Sequence, residues 1–394
     1  MSKTLVLRRG EERRVQVGHL WVFSNEVDIQ KTPLKEFQPG ETATLLRFDG
    51  KKLGTVYVNP NSLICARLIS ALPEQKMDKQ WFKHRLQQAL ALREQMYDQP
   101  YYRLVFSEGD FMPGLILDRY GDYFVAQLNT AAMDRARDEL IAVCCEMFQP
   151  KGITLRNDSG SRAQEQLAES VEVVYGQVPE ELTLLEDGAE FAFAPLSGQK
   201  TGWFYDQRHN RQSLKTFAKD KTCLDLFSYV GGWSIQMGRA GAREVVAVDA
   251  SQPAIDRVLD NAKRNGLDSK ISALCGDVFE ILKQFKQDGR TFDLIVVDPP
   301  AFIKRKKDEK EGALAYQRAN RLAMEILNPG GILVSCSCSH HFSAGQLQRA
   351  LLKGAGQLRR EMQILEIGQQ SPDHPIHPAI PETSYLKGFY CRLL

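Results

Sequence analysis

No stretch of this 394-residue chain approaches the ~20 consecutive apolar residues that a membrane-spanning helix needs. An apolar signal core is also missing at the N-terminus, where Arg8, Arg9, Arg13 and Arg14 are interrupted by acids. Eight cysteines lie scattered without framework spacing, which argues against a disulfide scaffold and for a reducing, cytoplasmic setting. No Cys-x-x-Cys pair or His/Cys ligand spacing occurs, so no resident metal is expected; His340 and His341 read as solvated loop residues. The net charge is only +2, so any contact with nucleic acid must rest on local patches. What is present is ordinary for a globular chain: 43% apolar and 25% charged residues, enough for two or three domains.

One stretch carries most of the information. Thr222-Cys223-Leu224 reads as a buried strand, followed by Asp225-Leu226-Phe227-Ser228-Tyr229-Val230-Gly231-Gly232 and a helix start at Trp233. A strand, an acid, a glycine turn and a helix make a nucleotide-type pocket. Phe227 and Tyr229 stand where a G-x-G-x-x-G loop has glycines, so phosphate cradling is a poor reading. Val245-Val246-Ala247-Val248 then ends in Asp249, 24 positions after Asp225, where an acid grips a ribose diol. Asp277 closes a third run and is placed to accept from an adenine amino group. A fourth run, Phe292 to Val297, leads into Asp298-Pro299-Pro300-Ala301-Phe302, a proline-stiffened loop. A lone Asp after a strand is usually a helix cap. Four in order at βαβ spacing resemble the S-adenosylmethionine site of Rossmann-type methyltransferases. Cofactor contacts are expected from Asp225, Phe227, Ser228, Gly231, Gly232, Asp249, Ala250, Asp277, Asp298 and Pro299.

The next strand, Gly330-Gly331-Ile332-Leu333-Val334, runs into Ser335-Cys336-Ser337-Cys338-Ser339. Carbon 5 of cytosine is too poor a nucleophile to take a methyl group directly. Thiolate attack at C6, with a proton or hydrogen bond at N3, makes C5 enamine-like. A cysteine, a carboxyl group and the cofactor in one pocket suit that chemistry. Alternation puts Cys336 and Cys338 on one face if the strand continues. Ser337-Cys338-Ser339 resembles the Ser-Cys-Ser motif of 5-methylcytosine RNA methyltransferases. The resemblance implies Cys338 as nucleophile, Asp298 at N3, and Cys336 as a buried small hydrophobe. Ala301 stands where some related enzymes carry a second, release-assisting cysteine, so the group that removes the C5 proton is open.

Residues 1 to 73 read as a β-rich module, with runs at Leu5–Leu7, Trp21–Phe23, 43–46 and 53–58 split by Pro39-Gly40, Asp49-Gly50 and Asn59-Pro60. The segment 13–23 resembles the opening of the RNA-binding PUA barrel, although Leu20 replaces its usual proline. Arg13 and Arg14 are the expected RNA contacts. A middle α+β domain spans 74–190. Its first helix, 80–98, has Trp81, Phe82, Leu86, Leu90 and Leu92 as candidates for one face. Gln199-Lys200-Thr201-Gly202 with Asp206-Gln207-Arg208 resembles a family segment that closes over the methionine end of the cofactor, implicating Lys200 and Asp206 there; an amide, a Lys and Arg208 also suit contact with an RNA phosphate. Lys304-Arg305-Lys306-Lys307, after the Asp298 loop, is a solvated run or an RNA-backbone contact. Pro300 and Phe302 are expected to wall the base.

The resemblance covers the whole chain and is to the PUA-containing 23S ribosomal RNA cytosine-5 methyltransferases of the methyltransferase I type. It implies an α/β fold: a Rossmann-like seven-stranded methyltransferase domain at 191–394, preceded by the PUA barrel and the α+β domain. The expected cofactor is S-adenosylmethionine, and the expected partner is 23S rRNA or a large-subunit precursor, with no membrane. Pairing as a homodimer and the identity of the modified nucleotide stay open. The rival readings are N-methylation of a base amino group, which needs no cysteine, and a catalytically silent RNA-binding or ribosome-assembly factor.

Overall fold

Short apolar runs separated by turn residues build the first sheet of the computed structural model, which describes residues 3–394. The strands β1 (Lys3–Val6), β2 (Trp21–Val22), β3 (Glu41–Leu46), β4 (Lys52–Val58) and β5 (Ala66–Ser70) pair in the order β1-β3-β4-β5-β2. Gly50, at φ +87°, turns β3 into β4 with a backbone that side chains disfavour. Leu5, Val22, Leu45 and Val56 fill the core of this sheet. A second sheet holds β6 (Tyr101–Phe106), β7 (Leu115–Tyr120), β8 (Tyr123–Leu128), β9 (Gly152–Asn157) and β10 (Ser170–Gly176) in the order β10-β9-β8-β7-β6. The helices Lys79–Met96 and Arg137–Phe148 share its core.

The first of those helices departs from its sequence reading at one residue. Trp81, Phe82 and Leu86 are buried and Leu90 is half-buried, but Leu92 is 39% exposed. Ala89 and Arg93 continue the buried row instead, at helical spacing from Phe82 and Leu86. Arg93 is buried because its guanidinium is fully answered. It bonds both Asp110 oxygens at 2.5 and 2.7 Å, and the carbonyls of Arg103 and Asp373 at 2.9 and 2.6 Å.

The remaining strands are a hairpin, β11 (Leu182–Glu186) with β12 (Ala189–Phe193), and seven in one sheet. The seven are β13 (Thr222–Leu226), β14 (Glu244–Asp249), β15 (Ile271–Cys275), β16 (Phe292–Val297), β17 (Leu327–Ser337), β18 (Met362–Gln369) and β19 (Lys387–Leu393). Their order is β15-β14-β13-β16-β17-β19-β18, and only β19 runs antiparallel to its neighbours. Val245 to Val248 and Leu294 to Val297 are buried without alternation, as a parallel sheet covered on both faces requires. Chain order reverses between β13 and β16, the switch point at which open α/β sheets place their sites. Among the described residues no helix is long and apolar enough to cross a membrane.

The chain forms two compact units whose segments alternate along the sequence. One unit comprises Met1–Leu182, Ala194–Trp203 and Asp373–Thr383; the other comprises Thr183–Phe193, Phe204–Pro372 and Ser384–Leu394. Long-range side-chain bonds hold each of these segments within its unit. Asn261 binds the Ala192 N–H at 2.7 Å, and Arg211 grips Glu186 at 2.6 and 2.7 Å, which ties the hairpin to the second unit. Arg156 donates to the carbonyls of Pro195 and Gly198 at 2.9 and 2.8 Å, which holds the next segment in the first. Asn261 is fully buried and also donates to Val230 O at 2.9 Å. Asn261→Ala is therefore expected to lower the urea midpoint, with roughly 1–3 kcal/mol lost for each buried partner left unsatisfied; an unchanged midpoint would show that the hairpin does not depend on it.

Candidate active site

The glycine turn after β13 is built from strained backbone. Phe227 and Tyr229 have φ of +64° and +48°, and Gly231 has +86°. Two non-glycine residues in the left-handed region within one short loop is a pattern that recurs at ligand sites. A Cβ on Gly231 would meet Val258 at 3.2 Å, so both its conformation and its surroundings call for glycine. Asp225 anchors the turn: its Oδ2 accepts the Ser234 N–H at 3.0 Å and the Ser234 hydroxyl at 2.6 Å. Asp249 steadies the other side, with Oδ2 accepting from Tyr229 N at 2.9 Å and Oδ1 from Ser251 N at 2.9 Å.

Asp298 follows the end of β16 between two donors. Gln207 Nε2 reaches Oδ1 at 3.0 Å, and Trp233 Nε1 reaches Oδ2 at 2.9 Å. Gln207 is itself fixed by Asn210 Nδ2 at 2.6 Å. Burial pushes Asp298 up to about 6, with Asp206 adding to the rise and Trp233, Arg211 and Gln207 opposing it. Burial likewise pushes Asp225 up to about 7, with Asp298 and Asp249 adding negative charge nearby. Three carboxyl groups thus feel one another at one sheet edge, an environment that favours a cationic ligand. The buried Asp225 Oδ1 and Ser228 Oγ have no hydrogen-bond partner, a condition native interiors rarely leave unmet without a ligand or water. A cofactor carrying an ammonium and a sulfonium fits these residues.

Across the sheet Val297 pairs with Ser335, so Asp298 is level with Cys336 at the adjoining end of β17. Cys336 is fully buried and its thiol is pushed well up by burial, then by Asp298. Gln207 and Asp206 also bear on this thiol, so Cys336 is buried but faces polar groups as well as apolar ones. Cys338 lies one residue past the strand end and is half-buried. Its loop is clamped on both sides: Ser339 Oγ accepts from Ile303 N at 3.2 Å and pairs with Tyr316 OH at 2.9 Å.

Other expected residues fall as follows. Asp206 is buried, and Tyr385 OH donates to its Oδ2 at 2.5 Å. Asp277 is exposed and caps the helix Val278–Gln287, accepting from Phe279 N and Glu280 N at 2.9 and 3.1 Å. Pro299 is buried, Pro300 and Ala250 are exposed, and Phe302 packs edge-on to Phe227 at 6.1 Å. Gly232 begins the helix Gly232–Arg239. Arg208 is buried with Asp187 3.9 Å away, which removes it from the surface where a phosphate contact was expected. Lys304 is exposed beside a cavity of about 480 Å³ lined by Phe302, Arg305 and Glu311. Lys200 and Arg13 are exposed in the first unit, whereas Arg14 is engaged by Glu26 at 2.7 Å. Sequence reasoning missed Gln207 and Trp233 as holders of Asp298. Gln207 lay inside a recognised segment, but nothing local joined either residue to a carboxylate 91 or 65 positions away.

The raised carboxyls have a consequence for stability. Asp225 and Asp298 bind protons more tightly in the fold than in the unfolded chain, where Asp sits near ~3.9. The native state therefore holds extra protons between about pH 4 and pH 7, and these two groups lower stability as pH rises through that window. Asp225→Asn should flatten the fall of the thermal midpoint over that range; a slope as steep as the wild type's would show that Asp225 ionises without penalty.

The sequence profile of S-adenosylmethionine-dependent methyltransferases matches residues 161–380, and that of PUA-like domains matches residues 5–71. Ribosomal RNA large subunit methyltransferase I from Aliivibrio fischeri is 35% identical over 399 residues, and that from Erwinia tasmaniensis 36% over 402, each covering 100% of both chains. A solved S-adenosylmethionine-dependent methyltransferase from Streptococcus mutans shares the fold, at TM-score 0.83 and 23% identity over 99% of this chain and 100% of that one. A methyltransferase crystallised with S-adenosylhomocysteine does so at TM-score 0.85 and 24% identity, again over 99% and 100%. With that identity along its full length, this chain belongs to the ribosomal RNA large subunit methyltransferase I family of S-adenosylmethionine-dependent methyltransferases.

Proposed function

We propose that the protein methylates carbon 5 of a cytidine in 23S rRNA, in the cytoplasm, through a covalent bond between Cys338 and C6. The observation that carries this reading is the pairing of β16 with β17, whose ends bring a carboxyl group and a half-buried cysteine to one sheet edge. S-adenosylmethionine, when bound, supplies an electrophilic methyl group. Asp225, Ser228, Gly231 and Asp249 would hold it, with Phe227, Ala250, Asp277 and Pro299 around it.

The chain's own residues do the rest. Cys338 attacks C6, which requires the cytosine out of its stack, so an unpaired loop target is cheaper than a helix. Asp298, pushed up to about 6, is about one-tenth protonated near pH 7, far more than an ordinary Asp, and this acid form offers a proton at N3. Gln207 and Trp233 keep its two oxygens oriented. C5 thereby gains the nucleophilicity that methyl transfer requires, and loss of its proton returns the bonding pair to Cys338 as the C6–S bond breaks. Cys336 stays a neutral thiol throughout, because burial beside Asp298 opposes its ionisation. Pro300 and Phe302 wall the base, and Lys304 with Arg13 contacts the RNA backbone.

Nucleoside mass spectrometry tests this. Undermethylated 23S rRNA incubated with labelled S-adenosylmethionine should yield labelled 5-methylcytidine, and Cys338→Ala should reduce it at least about a thousandfold. Label in another nucleoside, or near-normal activity of the variant, would sink the covalent mechanism and favour transfer to a base amino group.

A further inference from the structure

Lys387 opens β19 and stands opposite Ser337 in the antiparallel ladder with β17. Its Nζ donates to two backbone carbonyls, Ser339 at 2.6 Å and Tyr385 at 2.7 Å. Ser339 directly follows Cys338, so the ammonium lies against the loop that carries the sulfur. Among the described residues no carboxylate pairs with it. Burial pulls its basicity down to about 8, and the one charge that pulls it back up is Cys338. A desolvated ammonium held by carbonyls calls for an anion.

We infer that Lys387 is the counter-ion of Cys338, holding its sulfur as thiolate before attack on C6 and again when it departs. This rests on the covalent reading above. The coupling is reciprocal: a thiolate that favours the ammonium is itself favoured by it. The proton account is simple. The thiol proton leaves to solvent before attack, and Lys387 stays protonated through bond formation and bond breaking. Lys387 thus acts through Cys338 and is a positioning residue, not the base that takes the C5 proton.

Other titratable groups face the same sulfur. Tyr316, on the helix Glu309–Glu325, has its phenol pushed up by burial and also by Cys338. Cys336 lies two residues back on β17 and is pushed up in part by Cys338. His340 follows the loop, its ring 5.5 Å from Tyr385, and is exposed. Tyr316 and Cys336 bring negative charge if they ionise, and neither supplies the cation that a thiolate needs.

The test is the pH dependence of iodoacetamide alkylation at Cys338, read by peptide mass spectrometry in wild type, Lys387→Met and Lys387→Arg. The wild-type midpoint is expected below the ordinary thiol value of ~8.5. Lys387→Met should raise it by about one unit, roughly a tenfold slower alkylation near neutrality, and Lys387→Arg should restore it. Equal midpoints in wild type and a cooperatively unfolding Lys387→Met would overturn the inference. Should that variant not fold, the wild-type midpoint decides: a value at or above ~8.5 overturns it, and a lower one supports it. Alkylation needs neither RNA nor cofactor. A Cys338→Ala enzyme that still methylates would therefore refute the covalent reading without touching this measurement.

Discussion

Parallel pairing of largely apolar strands leaves little room for charge in the middle of the central sheet and moves it to the strand ends. The cores of β13, β14 and β16 are buried on both faces; Asp225 is the next-to-last paired residue of β13, Asp249 ends β14, and Asp298 directly follows β16. Each is then fixed by donors: Ser234 for Asp225, Tyr229 and Ser251 for Asp249, and for Asp298 Trp233 together with Gln207, which comes from the turn before the helix Arg208–Ala218. The carboxyl cluster follows from strand chemistry and topology together, and its mutual repulsion is the price of that placement.

The two thiols of β17 illustrate how much one step beyond a strand changes. Cys336 is inside the ladder, opposite Gly388, and burial keeps its proton on. Cys338 is outside it, where the backbone turns and the ammonium of Lys387 faces the same loop. Identical side chains two positions apart thus differ in burial and in the charged group beside them, Asp298 for Cys336 and Lys387 for the loop of Cys338.

Much of this was legible in the sequence, for identifiable reasons. Strands β13 to β17 announce themselves as apolar runs, and the acids and glycines after them sit at spacings that βαβ units impose. The roles of Gln207, Trp233 and Lys387 were not legible, because their partners are far along the chain and only the fold brings them together. Leu92 was misread because a generous apolar stripe admits it, while the actual row turns toward Ala89 and Arg93. Arg208 reads, within the segment 199–208, as a candidate phosphate contact; its burial, with Asp187 3.9 Å away, has no signal in that segment. The interleaving of the two units was equally hidden, since the buried bonds of Asn261 and Arg156 to distant backbone leave no local signature.

The position of β19 also bears on how the sheet is assembled. β18 comes earlier in the chain yet touches the sheet only through β19, which is inserted between it and β17. Until residues 387–393 dock, β18 has no strand to pair with and β17 presents an open edge along the stretch that ends at Ser337, next to Cys338. Such insertion requires closing a long loop before any ladder bond forms, which is entropically slow. The strand that completes the sheet is the one that brings Lys387, so the nucleophile's surroundings should be among the last features of this protein to fold.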